Sequence, residues 1–312
     1  MTGPATPTGA ALGYRDPRYV DSLTEWGDPM PLPRSGGWLL ARPTPIGGLR
    51  DARGPYPLLA CADWEALDTD LAALAGDLVS VVGVTDPFGA YDEALLHRTF
   101  GDLVRPFRRH YIVDLEQVGQ RPWSRKLEQT ARRALRSVEI EVLDEPAVHA
   151  ATWSELYRNL IDRHGVTGIR AFSAASFERL LAMPGVTLLL ARSGDRILGG
   201  QVYLRQGDVV HCHLGAVTPE GYQLDTFHAM DRVSLERFAG TARWLDLGGG
   251  QGDPEGQDGL ARYKARWATD SRWTWLVGRI LDPDAYAHLV AVTDSADSPW
   301  FPAYRTAFLP AI

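Results

Sequence analysis

Lysine and cysteine are nearly absent from this chain, and long apolar runs are missing. Only two cysteines, Cys61 and Cys212, occur among 312 residues, which excludes a disulfide framework and favours a reducing, cytoplasmic setting. No run of 18 uncharged apolar residues occurs, and the start of the sequence has neither a basic segment nor a long apolar stretch. We therefore expect neither a membrane span nor a signal peptide.

The chain is acidic overall, and its positive charges come almost entirely from arginine. The formal net charge of -7 excludes a protein that coats nucleic acid with its whole surface, although it permits a local basic face. Arginine outnumbers lysine 30 to 2, so that Lys126 and Lys264 stand out. The chain does contain 45% apolar residues, which is enough for a sizeable core and excludes a disordered chain.

The hydrophobic pattern predicts regular elements from residue 58 onward. The first 57 residues are rich in proline and glycine, and we interpret them as an arm anchored on the body by Trp26 and Trp38. The clearest helix spans 124–138, with Ser124 as its N-cap and apolar residues at helical spacing. The other predicted helices are 64–74, 91–100, 147–163, 173–182, 222–239 and 260–267, and the predicted strands are 78–84, 110–115, 139–143, 186–192, 197–204, 209–216, 244–247 and 273–281. This order predicts an α/β fold with a mixed sheet, without the regular alternation of a doubly wound parallel sheet.

A glycine-rich segment follows the strand predicted at 244–247. Its sequence, DLGGGQGD from Asp246 to Asp253, resembles the loop by which methyltransferases hold S-adenosylmethionine, where glycines let the backbone approach a ligand. In methyltransferases that loop comes early and several βα units follow it, whereas few residues remain after it here. A glycine turn that only joins strand to helix is the second interpretation.

The stretch from Trp244 to Leu281 resembles the end of the catalytic GNAT-like domain in the Fem family of aminoacyl-tRNA-dependent aminoacyltransferases and their FemAB-like relatives. In that family a strand ending in a D-x-G-G-like turn leads to an aromatic-Lys pair and then to an aromatic strand with a glycine. The matching residues are Asp246, Gly248 and Gly249 in the turn, Tyr263 and Lys264 in the pair, and Gly278 in the strand. Weaker matches are LYRNLIDRHG at 156–165, HLGA at 213–216 and FPAYR at 301–305.

The resemblance implies two GNAT-like lobes with a cleft between them. We assign the arm and the first lobe to residues 1–145 and the second, catalytic lobe to residues 146–312, and leave open whether the final segment of about 30 residues returns to the first lobe. The resemblance also implies direct amide formation, in which an acceptor amine attacks the activated carbonyl of an aminoacyl-tRNA. The acceptor would be a cell-wall precursor or a natural-product small molecule.

The same resemblance implies roles for the matched residues. Lys264 would stabilise the oxyanion or the terminal phosphate of the donor. Tyr263 and the turn from Asp246 to Gly250 would position the reactants.

The chemistry of amide formation gives an independent reason to consider Lys264. Attack of an amine on an ester or thioester builds negative charge on the carbonyl oxygen, and a cation fixed in a partly dry cleft lowers that barrier by roughly a few kcal/mol. A lysine ammonium also binds a terminal phosphate as a point charge. The alternative is a solvated lysine on an exposed helix, because the sequence RYKAR carries charge on several sides.

The acyl donor is predicted from the segment that follows the strand at 209–216. Acetyl-CoA-dependent GNAT enzymes present a Q/R-x-x-G-x-G/A loop there, whose backbone N–H groups hold the pyrophosphate. The sequence from Gly215 to Tyr222 lacks that spacing and contains Pro219, which has no N–H. We therefore expect no cofactor and an aminoacyl-tRNA donor. An acyl-CoA-dependent N-acyltransferase is the first alternative, and a non-catalytic binding protein on a degenerate GNAT scaffold is the second.

A basic surface is predicted on the helix at 124–138. It consists of Arg125, Lys126, Arg132, Arg133 and Arg136. These side chains would neutralise several phosphates and give salt-dependent tRNA binding. An ordinary solvated helix face is an equally weighted alternative.

A few further polar residues complete the predicted site. His211 and His213 share one face of a strand, but no third and fourth ligand is evident, so we expect no metal. His213 is predicted to line the cleft as a neutral hydrogen-bond partner. Asp231 lies in the apolar stripe of its helix, so we expect its carboxylate to pair with an arginine or, as the second option, to accept the amine proton. Tyr222 and Arg262 are the remaining predicted substrate-binding residues.

Overall fold

The computed structural model describes residues 12–120, 123–250 and 258–308. Within these ranges the strands form one sheet of 11 strands, in the order β1-β2-β3-β4-β11-β5-β10-β9-β8-β7-β6. The strands are β1 (Asp28–Leu32), β2 (Gly37–Pro43), β3 (Arg50–Arg53), β4 (Ser80–Val84), β5 (Leu103–Asp114), β6 (Glu139–Leu143), β7 (Val186–Ser193), β8 (Arg196–Gln206), β9 (Val209–Val217), β10 (Trp244–Asp246) and β11 (Asp270–Ile280). The predicted mixed α/β fold is confirmed.

Helices cover the sheet on both sides. They are α1 (Pro17–Asp21), α2 (Leu67–Ala73), α3 (Glu93–Phe100), α4 (Arg125–Ala134), α5 (Ala150–His164), α6 (Ala174–Leu181), α7 (Pro219–Gln223), α8 (Thr226–Phe238), α9 (Gly259–Trp267) and α10 (Pro283–Val292). None of these described helices combines the length and the apolarity needed to cross a membrane.

Two pairs of neighbouring strands run parallel, β3 with β4 and β9 with β10. The other neighbouring pairs among the described strands are antiparallel. In open α/β sheets, ligands bind in crevices outside the carboxyl ends of parallel strands. The topology therefore directs attention to two places, the ends of β3 and β4 and the ends of β9 and β10.

The continuous apolar sequence of β7 reflects burial of both of its faces. Because side chains alternate along a strand, Leu188 and Leu190 pack in the core that contains Trp153 of α5. Leu189 and Ala191 pack in the opposite core, together with residues of α8. The central strands are thus fixed between two helical layers, which makes them a rigid base for a site.

The sheet is continuous across Pro146, where the sequence suggests a boundary. β6, which precedes Pro146, pairs with β7, and α4 packs on α8. After α9, the chain returns to the first half as β11, which lies between β4 and β5. The division of the chain into lobes at residues 145 and 146 stays a prediction.

Most predicted elements of the second half occur close to their predicted bounds. The side chain of Ser124 accepts a hydrogen bond from the Leu127 N–H at 3.3 Å, as expected for an N-cap, but the helix ends at Ala134. The single helix predicted at 222–239 is divided into α7 and α8, because Asp225 adopts a left-handed conformation with φ of 56°.

The predicted arm contains more regular structure than its composition indicates. Strands β1, β2 and β3 lie within it, and the two prolines of β1 are compatible with its position at the sheet edge. Trp26 and Trp38 pack against the core beneath α5, in agreement with their predicted anchoring. Residues 1–11 of the arm, and residues 251–257 of the glycine-rich segment, lie outside the described residues.

Candidate active site

The crevice between β9 and β10 contains the lysine on which the sequence argument depends. The two strands pair over only three residues each, after which β9 continues and β10 ends at Asp246. Residues of α8 and α9 complete the walls of a cavity of about 580 Å³, which we call the Lys264 cavity. Its lining includes Gln201, Cys212, His213, Tyr222, Asp231, Tyr263 and Lys264.

The ammonium group of Lys264 is fixed at the wall of this cavity. Lys264 is partly buried on α9, and its Nζ donates a hydrogen bond to the Gly249 carbonyl oxygen at 2.8 Å. Gly249 is the one hydrogen-bond acceptor of this ammonium among the described residues, so that two of its three N–H bonds have no acceptor within them. Burial lowers the pKa of Lys264, while Cys212 and Asp246 oppose that shift. The alternative of a solvated lysine on an exposed helix is wrong.

The glycine turn after β10 allows this approach of the lysine. Gly248 has φ of 77°, a conformation that favours glycine. A Cβ atom at Gly248 would lie 3.1 Å from the Lys264 Nζ. The backbone conformation therefore favours glycine here, and a side chain at this position would press on the ammonium.

Gly249 and Gly250 lie against β5. A Cβ at Gly249 would be 3.3 Å from the Cβ of Arg108, and the Gly250 carbonyl accepts a hydrogen bond from Arg108 Nη1 at 3.2 Å. Neither glycine is part of the described cavity wall. The structure thus differs from the prediction that these glycines bind substrate: they hold the turn beneath Lys264.

Asp246 is fully engaged by the protein behind the cavity. It is 2% exposed, and its carboxylate contacts Nδ1 of His110 at 2.9 Å and Nδ1 of His211 at 3.0 Å. The Gly248 N–H also donates to it, at 2.7 Å. Burial by itself would raise the pKa of Asp246, but the charges and hydrogen bonds of the two histidines outweigh burial and lower it. Asp246 therefore positions the turn, and the prediction that it contacts substrate does not match its burial.

His110 is a residue that the sequence analysis missed. It lies on β5, while His211 and Asp246 lie on β9 and β10, so the three groups meet only because of the strand order. Burial by itself would lower the pKa of His211, but the hydrogen bond that its ring donates to Asp246, together with the negative charges of Asp86 and Asp246, raises it. No local motif around His110 indicates this partnership.

Asp231 is buried in the cavity wall and has no arginine partner among the described residues, which differs from the expected pairing. It is 4% exposed, and it accepts a hydrogen bond from Gln201 Nε2 at 2.8 Å and another from the Tyr263 hydroxyl. Tyr203 holds the amide of Gln201 in place by donating to its Oε1 at 2.9 Å. Burial raises the pKa of Asp231, although these hydrogen bonds and Lys264 oppose the shift. A carboxylate of raised pKa at a cavity wall is a suitable proton acceptor.

His213 is a neutral group of the cavity wall. It is 7% exposed, and its Nδ1 lies 3.2 Å from the Tyr14 hydroxyl oxygen. Burial, followed by the charge of His211, lowers the pKa of His213 to about 3. Its Nε2 has no hydrogen-bond partner among the described residues. Within those residues no group of His, Cys, Asp or Glu has the arrangement of a metal site.

Tyr222 and Arg262 occupy different positions relative to the cavity. Tyr222 lines it and is 42% exposed, and the Arg163 guanidinium lies 4.6 Å from the centre of its ring. Arg262 is exposed on α9 and is not part of the cavity wall. Tyr222 is thus a rim residue, whereas the predicted contact of Arg262 with substrate does not fit its position.

The basic helix α4 adjoins the rim of the Lys264 cavity. The predicted phosphate-binding residues are all exposed, four of them on α4 and Arg136 just after its end: Arg125, Lys126, Arg132, Arg133 and Arg136. Arg133 forms an ion pair with Asp225, which lines the cavity, and Arg132 lies 3.8 Å from Glu128. Arg125, Lys126 and Arg136 form no ion pair with a described residue and are available to an external anion.

The segment between β9 and α7 lacks a pyrophosphate grip. The N–H of Gly221 donates to the N-cap hydroxyl of Thr218 at 3.1 Å, and Pro219 has no N–H to offer. A Cβ atom at Gly221 would overlap the carbonyl oxygen of Leu198. The glycine is thus required for close packing of α7 on β8, and the first turn of α7 presents few free donors to a phosphate.

Comparison with known proteins agrees with this geometry. The acetyltransferase (GNAT) domain family matches residues 121–269. That match begins before Pro146 and includes α4 and β6. No curated protein sequence is significantly similar to the chain.

Several solved structures share the fold over most of the chain. FemX is 14% identical, and the match covers 91% of this chain and 95% of FemX with a TM-score of 0.62. The C-terminal DUF2156 domain of a protein described as a lysylphosphatidylglycerol synthetase from Agrobacterium fabrum is 14% identical, with 88% and 94% coverage and a TM-score of 0.58. L-PGS from Bacillus licheniformis is 14% identical, with 88% and 94% coverage and a TM-score of 0.52.

These findings confirm the resemblance to FemAB-like proteins of the GNAT fold and the two-lobe GNAT-like architecture. They support an acyltransferase activity for this chain. They also remove the basis for the methyltransferase interpretation of the glycine-rich segment, because the strand before it belongs to a GNAT-like sheet.

Proposed function

We propose that this GNAT-fold acyltransferase transfers an aminoacyl group from an aminoacyl-tRNA to the amine of a small acceptor. The observation that carries the proposal is the position of Lys264, whose ammonium is held at the wall of the Lys264 cavity with two N–H bonds unused by described residues. A developing oxyanion needs such a preorganised cation in a partly dry site. A terminal phosphate of the acyl donor would accept hydrogen bonds from the same two N–H groups.

The donor assignment rests on what surrounds the cavity. The β9–α7 segment has Thr218 and Pro219 where a coenzyme A grip needs free N–H groups. Beside the cavity, α4 and the residues just after it present Arg125, Lys126 and Arg136 without described ion-pair partners. A polyanionic donor with several phosphates suits this surface better than one whose affinity depends on a pyrophosphate loop.

The proposed reaction is a direct transfer. The acceptor nitrogen attacks the ester carbonyl of the donor, the new C–N bond forms, and the bond from the carbonyl carbon to the terminal ribose oxygen breaks. Lys264 stabilises the negative charge on the carbonyl oxygen during this step. The proton released by the amine passes to Asp231, which is held by Gln201 and Tyr263, and the departing ribose oxygen takes up a proton. Asp231 can then return its proton to solvent.

A labelling experiment tests the proposal directly. The full chain is incubated with a mixture of radiolabelled aminoacyl-tRNAs and a panel of small amines that includes cell-wall precursors, and label is followed from tRNA to amine. A parallel reaction contains labelled acetyl-CoA. We expect transfer from one or more aminoacyl-tRNAs. Transfer from acetyl-CoA alone would replace the donor assignment by the acyl-CoA alternative, and ligand binding without turnover under either donor would favour a non-catalytic binding protein.

A further inference from the structure

The second parallel pair of strands also opens into a crevice. After Arg53 pairs with Val82, the Gly54 N–H donates to the Val82 carbonyl at 2.8 Å and the chain leaves β3. A cavity of about 210 Å³ lies there, between the ends of β3 and β4, β11 and the segment 300–305. We call it the arginine crevice. It is smaller than the roughly 300 Å³ at which pockets for drug-sized molecules begin, so it suits a small chemical group.

The arginine crevice is separate from the Lys264 cavity. The two share no lining residue. β4 is antiparallel to β11, β11 to β5, and β5 to β10, so that β4 and β10 run in opposite directions. The carboxyl ends of the two parallel pairs therefore face opposite ends of the sheet, and a ligand in one crevice does not extend into the other along the strands.

Positive charge exceeds negative charge in the arginine crevice. Arg42, Arg53 and Arg305 line it, and the one carboxylate beside them among the described residues is the fully buried Asp51. Asp51 accepts hydrogen bonds from Arg42 Nε at 2.8 Å, from Arg305 Nη2 at 2.9 Å and from the Tyr304 hydroxyl at 2.9 Å. With three guanidinium groups and one carboxylate, two positive charges remain uncompensated by described residues.

Arg53 is the group whose charge is least compensated. Its guanidinium forms no hydrogen bond and no ion pair with the described residues, although the residue is partly buried. Burial, followed by repulsion from Arg42 and Arg305, lowers the pKa of Arg53 to about 10. An unpaired guanidinium in such a place destabilises the folded chain unless an anion enters.

The C-terminal segment forms a fitted wall of the arginine crevice. The ring of Phe301 lies on Gly278 of β11, where a Cβ atom would fall 2.5 Å from Phe301 Cε1. Phe301 and Arg305 line the crevice, and Tyr304 supports Asp51 from below. The sequence FPAYR at 301–305 and the glycine of the aromatic strand, both noted in the sequence, are thus explained by this crevice rather than by the Lys264 cavity.

We propose that the arginine crevice is a second binding site, specific for a phosphate or diphosphate group held by Arg42, Arg53 and Arg305. The excess of two positive charges matches a dianion better than a single carboxylate. The planar guanidinium groups suit phosphate oxygens, which they bind through paired N–H donors. The proposal does not depend on the donor used at the Lys264 cavity.

Calorimetric titration of the full chain with inorganic pyrophosphate at low ionic strength tests the site. Arg53→Met keeps most of the side-chain volume and removes the charge, and we expect it to weaken binding at least tenfold. Arg50→Met is the matched control, because Arg50 lies on the same strand, is 43% exposed and pairs with Asp28. We expect this control to bind as the unchanged chain does.

Two further measurements separate this site from the proposed tRNA surface and define its ligand. The combined variant Arg125→Gln, Lys126→Gln and Arg136→Gln should bind pyrophosphate as tightly as the unchanged chain, whatever it does to tRNA binding. Gly278→Ala should weaken pyrophosphate binding without any change in charge, because it displaces Phe301. The affinity for a nucleoside diphosphate is compared with that for pyrophosphate. Tighter binding of the nucleoside diphosphate would identify the ligand as a nucleotide, and equal binding would show that the site recognises the phosphate groups alone. No heat with either ligand, or equal affinity in Arg53→Met, would overturn the proposal.

Discussion

The ammonium of Lys264 lies against the turn that ends β10, with its Nζ 2.8 Å from the carbonyl oxygen of Gly249. This contact joins two parts of the Fem-like sequence pattern that lie 15 residues apart along the chain. The D-x-G-G turn supports the lysine side chain. Asp246 in turn holds this glycine turn in place by accepting a hydrogen bond from the Gly248 N–H, and it is itself fixed by His110 and His211. The pattern therefore describes one mechanical unit that holds a cation at a cavity wall.

Replacing Lys264 tests the role of that cation. Lys264→Met keeps the length of the side chain and removes its charge, so we expect the rate of aminoacyl transfer at saturating substrate to fall by about 100-fold or more. The measurement is a single-turnover time course with labelled aminoacyl-tRNA. The control is Arg98→Met, which removes a positive charge that is 63% exposed and belongs neither to the Lys264 cavity nor to the proposed tRNA surface, and it should leave this rate unchanged. A loss below threefold in a Lys264→Met protein of unchanged melting temperature would contradict a catalytic role.

Gly248→Ala tests whether the turn positions Lys264. Alanine at φ of 77° destabilises the fold by about 1–2 kcal/mol, and its Cβ would also press on the Lys264 Nζ at 3.1 Å. We expect both a lower unfolding free energy in urea and a transfer rate reduced by roughly tenfold or more.

Gly240→Ala separates these two effects. Gly240 has φ of 74°, but a Cβ there meets no atom within 4 Å. It should lower stability by a similar amount and leave the transfer rate unchanged. Equal activity losses in the two variants would show that backbone strain, and not displacement of Lys264, limits transfer.

The sequence predicts the second half of the fold better than the first, for identifiable reasons. β7, β8 and β9 are buried on both faces, so their apolar runs stand out, whereas β1 is a short edge strand with prolines at positions 29 and 31. Lys264 and Tyr263 are recognisable because they are neighbours in a family pattern. The partnership of His110 with Asp246 is not, because it depends on β5 lying next to β10, and strand order is not readable from local periodicity. The same holds for the arginine crevice, since Arg305 meets Asp51 across a separation of 254 residues along the chain.

Salt dependence tests the proposed tRNA surface. Each Lys or Arg that neutralises a nucleic-acid phosphate changes the slope of log affinity against log salt concentration by about 0.7 for a single strand and about 0.9 for a duplex. Replacing Arg125, Lys126 and Arg136 with glutamine should therefore weaken tRNA binding and reduce that slope by about 2 to 3. The measurement is a filter-binding titration over a range of potassium chloride concentrations.

The matched control changes three exposed arginines away from α4. Arg18, Arg50 and Arg98 are 57%, 43% and 63% exposed, and each lies beside a carboxylate. Replacing them with glutamine alters the net charge of the chain by the same amount. If both triple variants change the salt slope equally, the effect belongs to overall charge, and α4 is not the tRNA surface.

Because His213 is neutral in the folded chain, we expect the unfolding free energy to decrease as the pH falls below neutral. Its pKa in the folded chain is about 3, below the value of about 6.5 for an unfolded histidine, so the unfolded chain binds a proton more readily. The corresponding stability is present above pH 6.5 and is lost as the pH falls towards 3. Between pH 7 and pH 5 the unchanged chain should lose about 2 kcal/mol more unfolding free energy than His213→Gln, measured by urea denaturation.

His211→Gln should change the pH dependence of stability above neutral pH, whereas His213→Gln should change it below neutral pH. Burial by itself would lower the pKa of His211, but its hydrogen bond to Asp246 and the charges of Asp86 and Asp246 together raise it. The stability that His211 contributes is therefore present below pH 6.5 and is lost as the pH rises through the raised value. The unchanged chain should therefore lose stability above neutral pH more steeply than His211→Gln does. Two histidines that flank Cys212 on one strand would then contribute slopes of opposite sign, because one faces a carboxylate and the other faces aromatic rings. Slopes of the same sign in both variants would mean that Asp246 does not hold a proton on His211, and the account of the turn that supports Lys264 would have to change.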